Sequence, residues 1–279
     1  MPQTPSSHTI RQADQQDISS IAEFMDRAFL IHRHLDWRPL MDWVEREPFL
    51  LRLTGNKTTS LLSCAPDPVG VAWIHAFAAE NWSGKIESIW RSLLEPAVNL
   101  LAGSRCSIYS VSFADWYTRL LKASGFTLMQ NIVVLYWGRI LPPKTTISPE
   151  ILIRPMELTD LDDVVNVDRR AFEPAWVISS ESLERAYLQS NHANVAELNT
   201  KIVGYELSTA NNLSAHLTRL AVLPEFRHAR IGYTLANEML EHYTRQGIWQ
   251  ITVNTQQDNQ ASLSLYKKLG FYLTSDTFP

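Results

Sequence analysis

At 279 residues, with 45% hydrophobic and 19% charged side chains, the chain is long enough for one large domain or two of ordinary size. Two cysteines, Cys64 and Cys106, exclude a disulfide framework and a cysteine-built zinc site, and no apolar run reaches the roughly 20 residues of a membrane span. The net charge of −4 is carried wholly by residues 151–279 (11 basic, 15 acidic, against 14 of each in 1–150), which argues against a nucleic-acid footprint and suits a cationic substrate such as an amine.

Residues 1–9 have neither a basic nor an apolar stretch and are expected to be disordered, without a signal peptide; a cytoplasmic location is the expectation. Ile10-Arg11 then opens a short strand, followed by a helix marked by Asp17-Ile18, Ile21 and Arg27-Ala28-Phe29. The same series returns 143 residues later as Ile153-Arg154, Asp160-Leu161, Val164 and Arg170-Ala171-Phe172. Late in each half a second match, Leu121-Lys122-Ala123-Ser124-Gly125-Phe126 against Tyr266-Lys267-Lys268-Leu269-Gly270-Phe271, has an offset of 145. Two nearly equal offsets over more than a hundred positions imply a duplicated domain. Residues 139–150, with three prolines and no apolar periodicity, read as the linker. The expected organisation is therefore 10–138, linker 139–150 and 151–279.

In the second half the pattern predicts a strand at 151–154, a helix at 159–172 capped by Thr159, and a helix over Ser180–Gln189. Strands at 193–198, 202–209 and 216–222 follow, then an amphipathic helix over Ile231–Arg245 stopped by Gly247. A strand at 248–253, a helix at 260–269 stopped by Gly270 and a strand from 272 complete an α/β domain with a mixed sheet. In the first half, Ile132–Trp137 reads as the closing strand.

The chemistry should lie where the strand 216–222 runs through Leu223 and Pro224 into a loop bearing Arg227, His228 and Arg230, and then at once into a long helix. Free backbone N–H groups and the helix dipole make such a junction an anion seat. A plain surface turn would look similar. The later run Asp258-Asn259-Gln260-Ala261-Ser262-Leu263-Ser264-Leu265-Tyr266-Lys267-Lys268-Leu269-Gly270-Phe271 narrows the reading. Tyr266 has a phenol able to protonate a leaving thiolate, although a packing aromatic is the plainer role for a tyrosine.

Together, Leu-Ala-Val-x-Pro-x-x-Arg-x-x-x-Ile-Gly and Asn-x-x-Ser-x-x-Leu-Tyr-x-x-x-Gly-Phe resemble the GNAT superfamily of acyl-CoA-dependent N-acyltransferases, over essentially all of 151–279. The resemblance implies two tandem GNAT-like domains, each a mixed, mostly antiparallel sheet flanked by helices. It implies that Arg227, His228, Ala229, Arg230, Ile231 and Gly232, with Tyr233, cradle the CoA pyrophosphate. Leu220, Ala221 and Val222 would pair with the pantetheine arm, the Leu220 N–H would polarise the thioester carbonyl, Asn259 would contact the cofactor, and Tyr266 would be the general acid. Acetyl-CoA is the implied acyl donor, no metal is required, and the acceptor would be a small-molecule or peptide amine; the oligomeric state is left open.

The proton from the amine needs a base. His216 fits by position and by its near-neutral pKa, with Thr218 and Leu220 on the same strand face if period two holds; Glu206 is the rival. Two departures stand out. Arg230 occupies a position where the family usually has a glycine, and the sequence ends nine residues after Gly270, so a counterpart of 132–137 is missing or supplied from elsewhere. The first half has Leu121 at the tyrosine position and no arginine-rich loop around 80–85, so it is expected to be a degenerate, inactive copy. Its seven tryptophans read as packing residues. A non-catalytic acyl-CoA-binding scaffold is the alternative for the whole chain.

Overall fold

The structure is a computed structural model that describes residues 8–80 and 85–279. Most of the expected disordered segment, and Trp82 within the 81–84 segment, lie outside the described residues; His8 and Thr9 already belong to a strand. The chain divides into two compact units, Met1–Thr127 and Leu128–Pro279. Among the described residues no helix is long and apolar enough to cross a membrane.

The first unit contains β1 (His8–Gln12), α1 (Ile18–Arg27), β2 (Leu30–Arg33), β3 (Phe49–Thr54), β4 (Lys57–Ser63), β5 (Val71–Trp73), β6 (Ala76–Ala79), α2 (Ile86–Leu101), β7 (Ser107–Tyr109) and α3 (Asp115–Ala123). A five-stranded antiparallel sheet runs in the order β1-β3-β4-β6-β2, beside a parallel pair, β5-β7. Strand alternation sends Leu50, Leu62 and Phe77 to one face, against Trp90 and Leu93 of α2 and Tyr117 of α3. Leu51, Leu61 and Ala78 go to the other face, against Ile21 and Phe24 of α1 and the fully enclosed Trp43. Trp43 and Trp90 are thus core residues, as the packing reading of the tryptophans expects.

The second unit contains β8 (Ile132–Trp137), β9 (Ile151–Pro155), α4 (Leu161–Ala171), α5 (Ser180–Gln189), β10 (His192–Leu198), β11 (Lys201–Ala210), β12 (Ser214–Val222), α6 (Ile231–Arg245), β13 (Gln250–Gln256), α7 (Gln260–Lys268) and β14 (Phe271–Phe278). Its seven-stranded sheet runs β14-β8-β13-β12-β11-β10-β9, antiparallel except between β12 and β13. The fold is the expected mixed α/β class, and from β9 onward the elements come in the expected order. Asn199 and Thr200, both at positive φ, make the two-residue turn between β10 and β11.

The duplication is visible in the side chains. Arg11 grips Asp17 through two hydrogen bonds of 2.6 Å, and Arg154 grips Asp160 at 2.7 and 2.8 Å. In each copy the aspartate also accepts the backbone N–H three residues before it, that of Asp14 or Glu157. This corner, rather than the expected Thr159 cap, starts α4. Each late helix ends at a left-handed glycine, Gly125 (φ +84) or Gly270 (φ +87), where an L side chain would be strained.

One strand is not where the sequence places it. Ile132–Trp137 does not close the first unit. It enters the second sheet between β13 and β14, pairing Leu135 with Val253 on one side and with Leu273 on the other. The strand missing from the second half is therefore supplied from before the linker, and β14 takes the edge. Val133, Leu135 and Trp137 join the core of the second unit, and the Trp137 indole N–H donates to the Leu269 carbonyl at 3.0 Å. A fragment comprising 151–279 lacks an interior strand and should fail to give a cooperative melt by circular dichroism, whereas 128–279 should melt cooperatively.

Candidate functional site

The parallel pairing of β12 with β13 covers only four rungs, from Ser214–Gln250 to Leu217–Val253. Beyond Leu217 the strands fork. β13 continues along β8, from Asn254–Val134 to Gln256–Ile132, while β12 continues along β11 as far as Val222. Between the prongs opens a cavity of about 1220 Å³. Leu220, Ala221 and Val222 line one side, Gln256, Asp258 and Asn259 the other, and Arg227, His228, Arg230, Ile231, Gly232 and Tyr233 its α6 end. Tyr266 of α7 also lines it. Of the expected cofactor residues, Ala229 is not on the wall.

The α6 end presents backbone N–H groups that no side chain caps. A turn over Pro224–Phe226 leads into His228 (φ +72) and Arg230 (φ +62, ψ 10), and α6 begins at Ile231 with no side-chain cap. Its first N–H groups are left for a ligand. Arg230 holds the left-handed conformation that a glycine would adopt freely, at a cost of roughly 1–2 kcal/mol for an L residue. Both arginines already have protein partners: Arg227 donates to the Ala171 carbonyl at 3.0 Å, and Arg230 donates to Thr145 Oγ1 at 3.0 Å. Asn259 caps α7 by accepting the Ser262 N–H at 3.1 Å while also facing the cavity.

Tyr266 is buried, 6% exposed, against Phe271, and burial pushes its phenol well above the ordinary tyrosine value, so it stays protonated. The two expected bases are placed differently from each other. Glu206 is fully buried, its Oε2 2.7 Å from His192 Nδ1, and burial raises its carboxyl; it does not border the cavity. His216 is half-buried at the last rung but one before the fork, with Nδ1 2.7 Å from Thr252 Oγ1. Burial lowers its pKa, partly offset by a hydrogen bond to Asn254. It too is off the cavity wall.

The expected strand face needs correction. Register against β11 slips between Leu207 and Ser208, leaving Thr218 as an extra residue. Leu220 therefore packs with Ala215 and Leu217 toward α6 and α7, not with His216. His216 shares its face with Arg219, the side on which α4 packs.

Residues 161–271 match the profile of the "Acetyltransferase (GNAT) family". They belong to the GNAT acetyltransferase family. The putative [ribosomal protein bS18]-alanine N-acetyltransferase of Bacillus subtilis (strain 168) is 28% identical over 121 residues, spanning 42% of this chain and 78% of that protein. Two solved structures share the fold along nearly the whole chain. A GCN5-related N-acetyltransferase from Sphaerobacter thermophilus aligns over 98% of this chain and 94% of its own, with TM-score 0.63 and 14% identity. A tandem GNAT protein from the clavulanic acid biosynthesis pathway aligns over 98% and 97%, with TM-score 0.66 and 12% identity.

Sequence reasoning missed several residues of this GNAT domain. Gly204 of β11 lets α6 start close to the sheet: a Cβ there would lie 3.0 Å from the Ala221 carbonyl and 3.1 Å from Ile231 Cγ2, and a lone glycine inside a strand pattern was the available signal. Gln130 and Phe172, also missed, line the cavity together with Glu173 and Trp176, whose stretch the family resemblance makes a candidate acceptor contact although a core-covering Trp176 is the plainer expectation; the Trp176 indole N–H donates to Gln130 Oε1 at 3.0 Å. That wall is held from behind. Buried Asp168 accepts from the Tyr205 hydroxyl and from Arg219 Nε, and Arg219 donates to the Trp176 carbonyl at 2.7 Å while its guanidinium lies 4.0 Å from the Phe172 ring centroid. Replacing Asp168 with Ala strands the buried Arg219 charge and should cost roughly 3–5 kcal/mol in urea unfolding.

Proposed function

We propose that the second unit is an acetyl-CoA-dependent N-acetyltransferase acting by direct transfer on a primary amine. The observation that carries this reading is the fork: an unpaired inner edge of β12, 218–222, facing a cavity that runs from the uncapped start of α6 to the Tyr266 phenol. A pantetheine arm has amides spaced to pair with such an edge, as an added strand would. Its pyrophosphate would rest on the first N–H groups of α6, and Gly232, with no side chain in the way, would let it approach.

Chemistry follows from this placement. The amine nitrogen attacks the thioester carbonyl, whose developing oxyanion is stabilised by the Leu220 N–H. As the adduct collapses the C–S bond breaks and Tyr266 gives its proton to the thiolate. The amine's proton leaves toward His216, which stands at the fork on the face where Phe172 and Trp176 form the wall. Glu206, closed off behind β11 in its pair with His192, is better read as a structural group. No cysteine is among the residues that line the cavity, and the transfer is read as direct. The acceptor is read as a protein N-terminus or a small amine, in keeping with the amine acceptor named for the Bacillus relative and with the acidic balance of residues 151–279.

The first unit is read as inactive. Its β5-β7 pair is parallel like the base of the fork, and β6 then continues toward α2 as the free prong does. But β2 pairs with all of β6, from Arg33–Ala76 to Leu30–Ala79, so no edge is open, and Leu121 stands where Tyr266 does. The scaffold alternative is the weaker one, because Tyr266 lines the cavity with its proton retained.

Calorimetric titration with acetyl-CoA should give one site per chain; two sites would overturn the reading of the first unit, and none would overturn the reading of the second. Once an acceptor is found, Tyr266→Phe should lower kcat on the order of 10²-fold with little change in the KM for acetyl-CoA. Because His216 titrates below the usual histidine range and must be neutral to accept a proton, kcat/KM should hold down to about pH 6.5 and fall only in more acid solution, and His216→Gln should remove that limb from the pH–rate profile.

A further inference from the structure

The segment joining β8 to β9 does more than connect them. It lies along α6 through three side-chain contacts and a fourth, longer one from Arg230 Nη1 to the Thr146 carbonyl at 3.5 Å. Arg230 Nη1 donates to Thr145 Oγ1 at 3.0 Å, the Tyr233 hydroxyl donates to the Pro143 carbonyl at 2.8 Å, and Lys144 Nζ sits 3.1 Å from Glu241 Oε2. Arg230 precedes α6 and Tyr233 and Glu241 lie on it, so the contacts hold the segment against the first three turns of that helix. Thr145 itself lines the cavity, alongside Arg230 and Tyr233.

Arg230 makes this arrangement unusual. It holds a backbone conformation suited to glycine, and a residue kept in that region is one whose surroundings over-determine it. The side chain supplies the reason. A guanidinium has five N–H donors in a rigid fork, so one bond to Thr145 leaves others for an anion. Without that bond only the longer contact to the Thr146 carbonyl would restrain the exposed side chain, which would sample more rotamers and lose that freedom on binding a phosphate. With it, the fork is held at the cavity wall next to the free N–H groups of α6.

We propose that the linker segment 143–146 is a working part of the acyl-CoA seat, in which Thr145 is the positioning residue that holds the Arg230 guanidinium ready for a phosphate of CoA. The inference rests on the reading of the cavity as the acyl-CoA site. It explains why a position that glycine would fill without strain carries arginine: the guanidinium replaces, from the side, the contacts that a closer backbone would make. It also makes the segment between β8 and β9, inside the second unit, part of ligand recognition.

The test is a calorimetric titration of CoA into the full chain and its variants. Thr145→Val removes the acceptor oxygen with little change of shape, and Thr145 is only half-buried, so the variant should fold and melt as the parent does. It should bind CoA roughly three- to tenfold more weakly. Thr145→Ser, which keeps the oxygen, should bind as the parent does. In an Arg230→Ala background Thr145→Val should have no further effect, since a positioning residue acts only through the group it positions. An equal loss in both backgrounds would overturn the proposal, and so would unchanged or tighter binding by Thr145→Val. Saturating CoA should also slow tryptic cleavage after Lys144, and an unprotected bond would count against the linker as a wall of the seat. If the parent chain does not bind CoA at all, the acyl-CoA reading falls and takes this one with it; if it binds and only the variants disagree, the acyl-CoA reading stands alone.

Discussion

Everything at the site depends on a parallel pair of strands that stops after four rungs. A strand leaving its partner exposes backbone N–H and C=O groups that need other hydrogen-bonding partners. Here each prong keeps one satisfied side, β12 against β11 and β13 against β8, so the fork opens without unravelling the sheet. The inner edge of β12 is the part left over, and it is what a chain of amides can use. β8 is thus as necessary to the cavity as the strands that line it, because it holds β13 away from β12.

The comparison of the two halves sharpens this point. Both keep the arginine–aspartate corner at the first strand and the left-handed glycine after the last helix, so the local chemistry that starts and stops elements has survived duplication in each. They differ in what lies beside the strand before the long helix. In the first unit β2 has closed that edge with four rungs. A single pairing choice separates a sheet with a slot from one without.

What could be read from the sequence was local. The repeated Ile-Arg and Arg-Ala-Phe series, the Pro224 junction, the asparagine at 259 and the glycine at 270 all act within a few residues of themselves, and the structure places them as elements that start, turn or stop. β8 was misplaced because a run of apolar residues such as Ile132–Trp137 says that it is a strand without saying which sheet it joins. The strand face of His216 was misassigned because one extra residue at Thr218 inverts the alternation, and a bulge leaves no mark in composition. The Asp168–Arg219 pair joins residues 51 apart, and nothing near either one announces the other. Glu206 looked like a free carboxylate until its histidine partner, 14 residues earlier on the neighbouring strand, came into view.

The borrowed strand also sets an order of events during synthesis. β8 leaves the ribosome more than a hundred residues before β13, and β14 comes last of all. Until then β8 is an apolar ribbon with both edges open, and such a ribbon invites pairing with the wrong neighbour or with another chain. The prolines, lysine and threonines that follow it, later laid along α6, are in the nascent chain a polar, strand-breaking stretch directly behind that ribbon. The same short segment thus shields an unfinished sheet before it becomes part of the finished one.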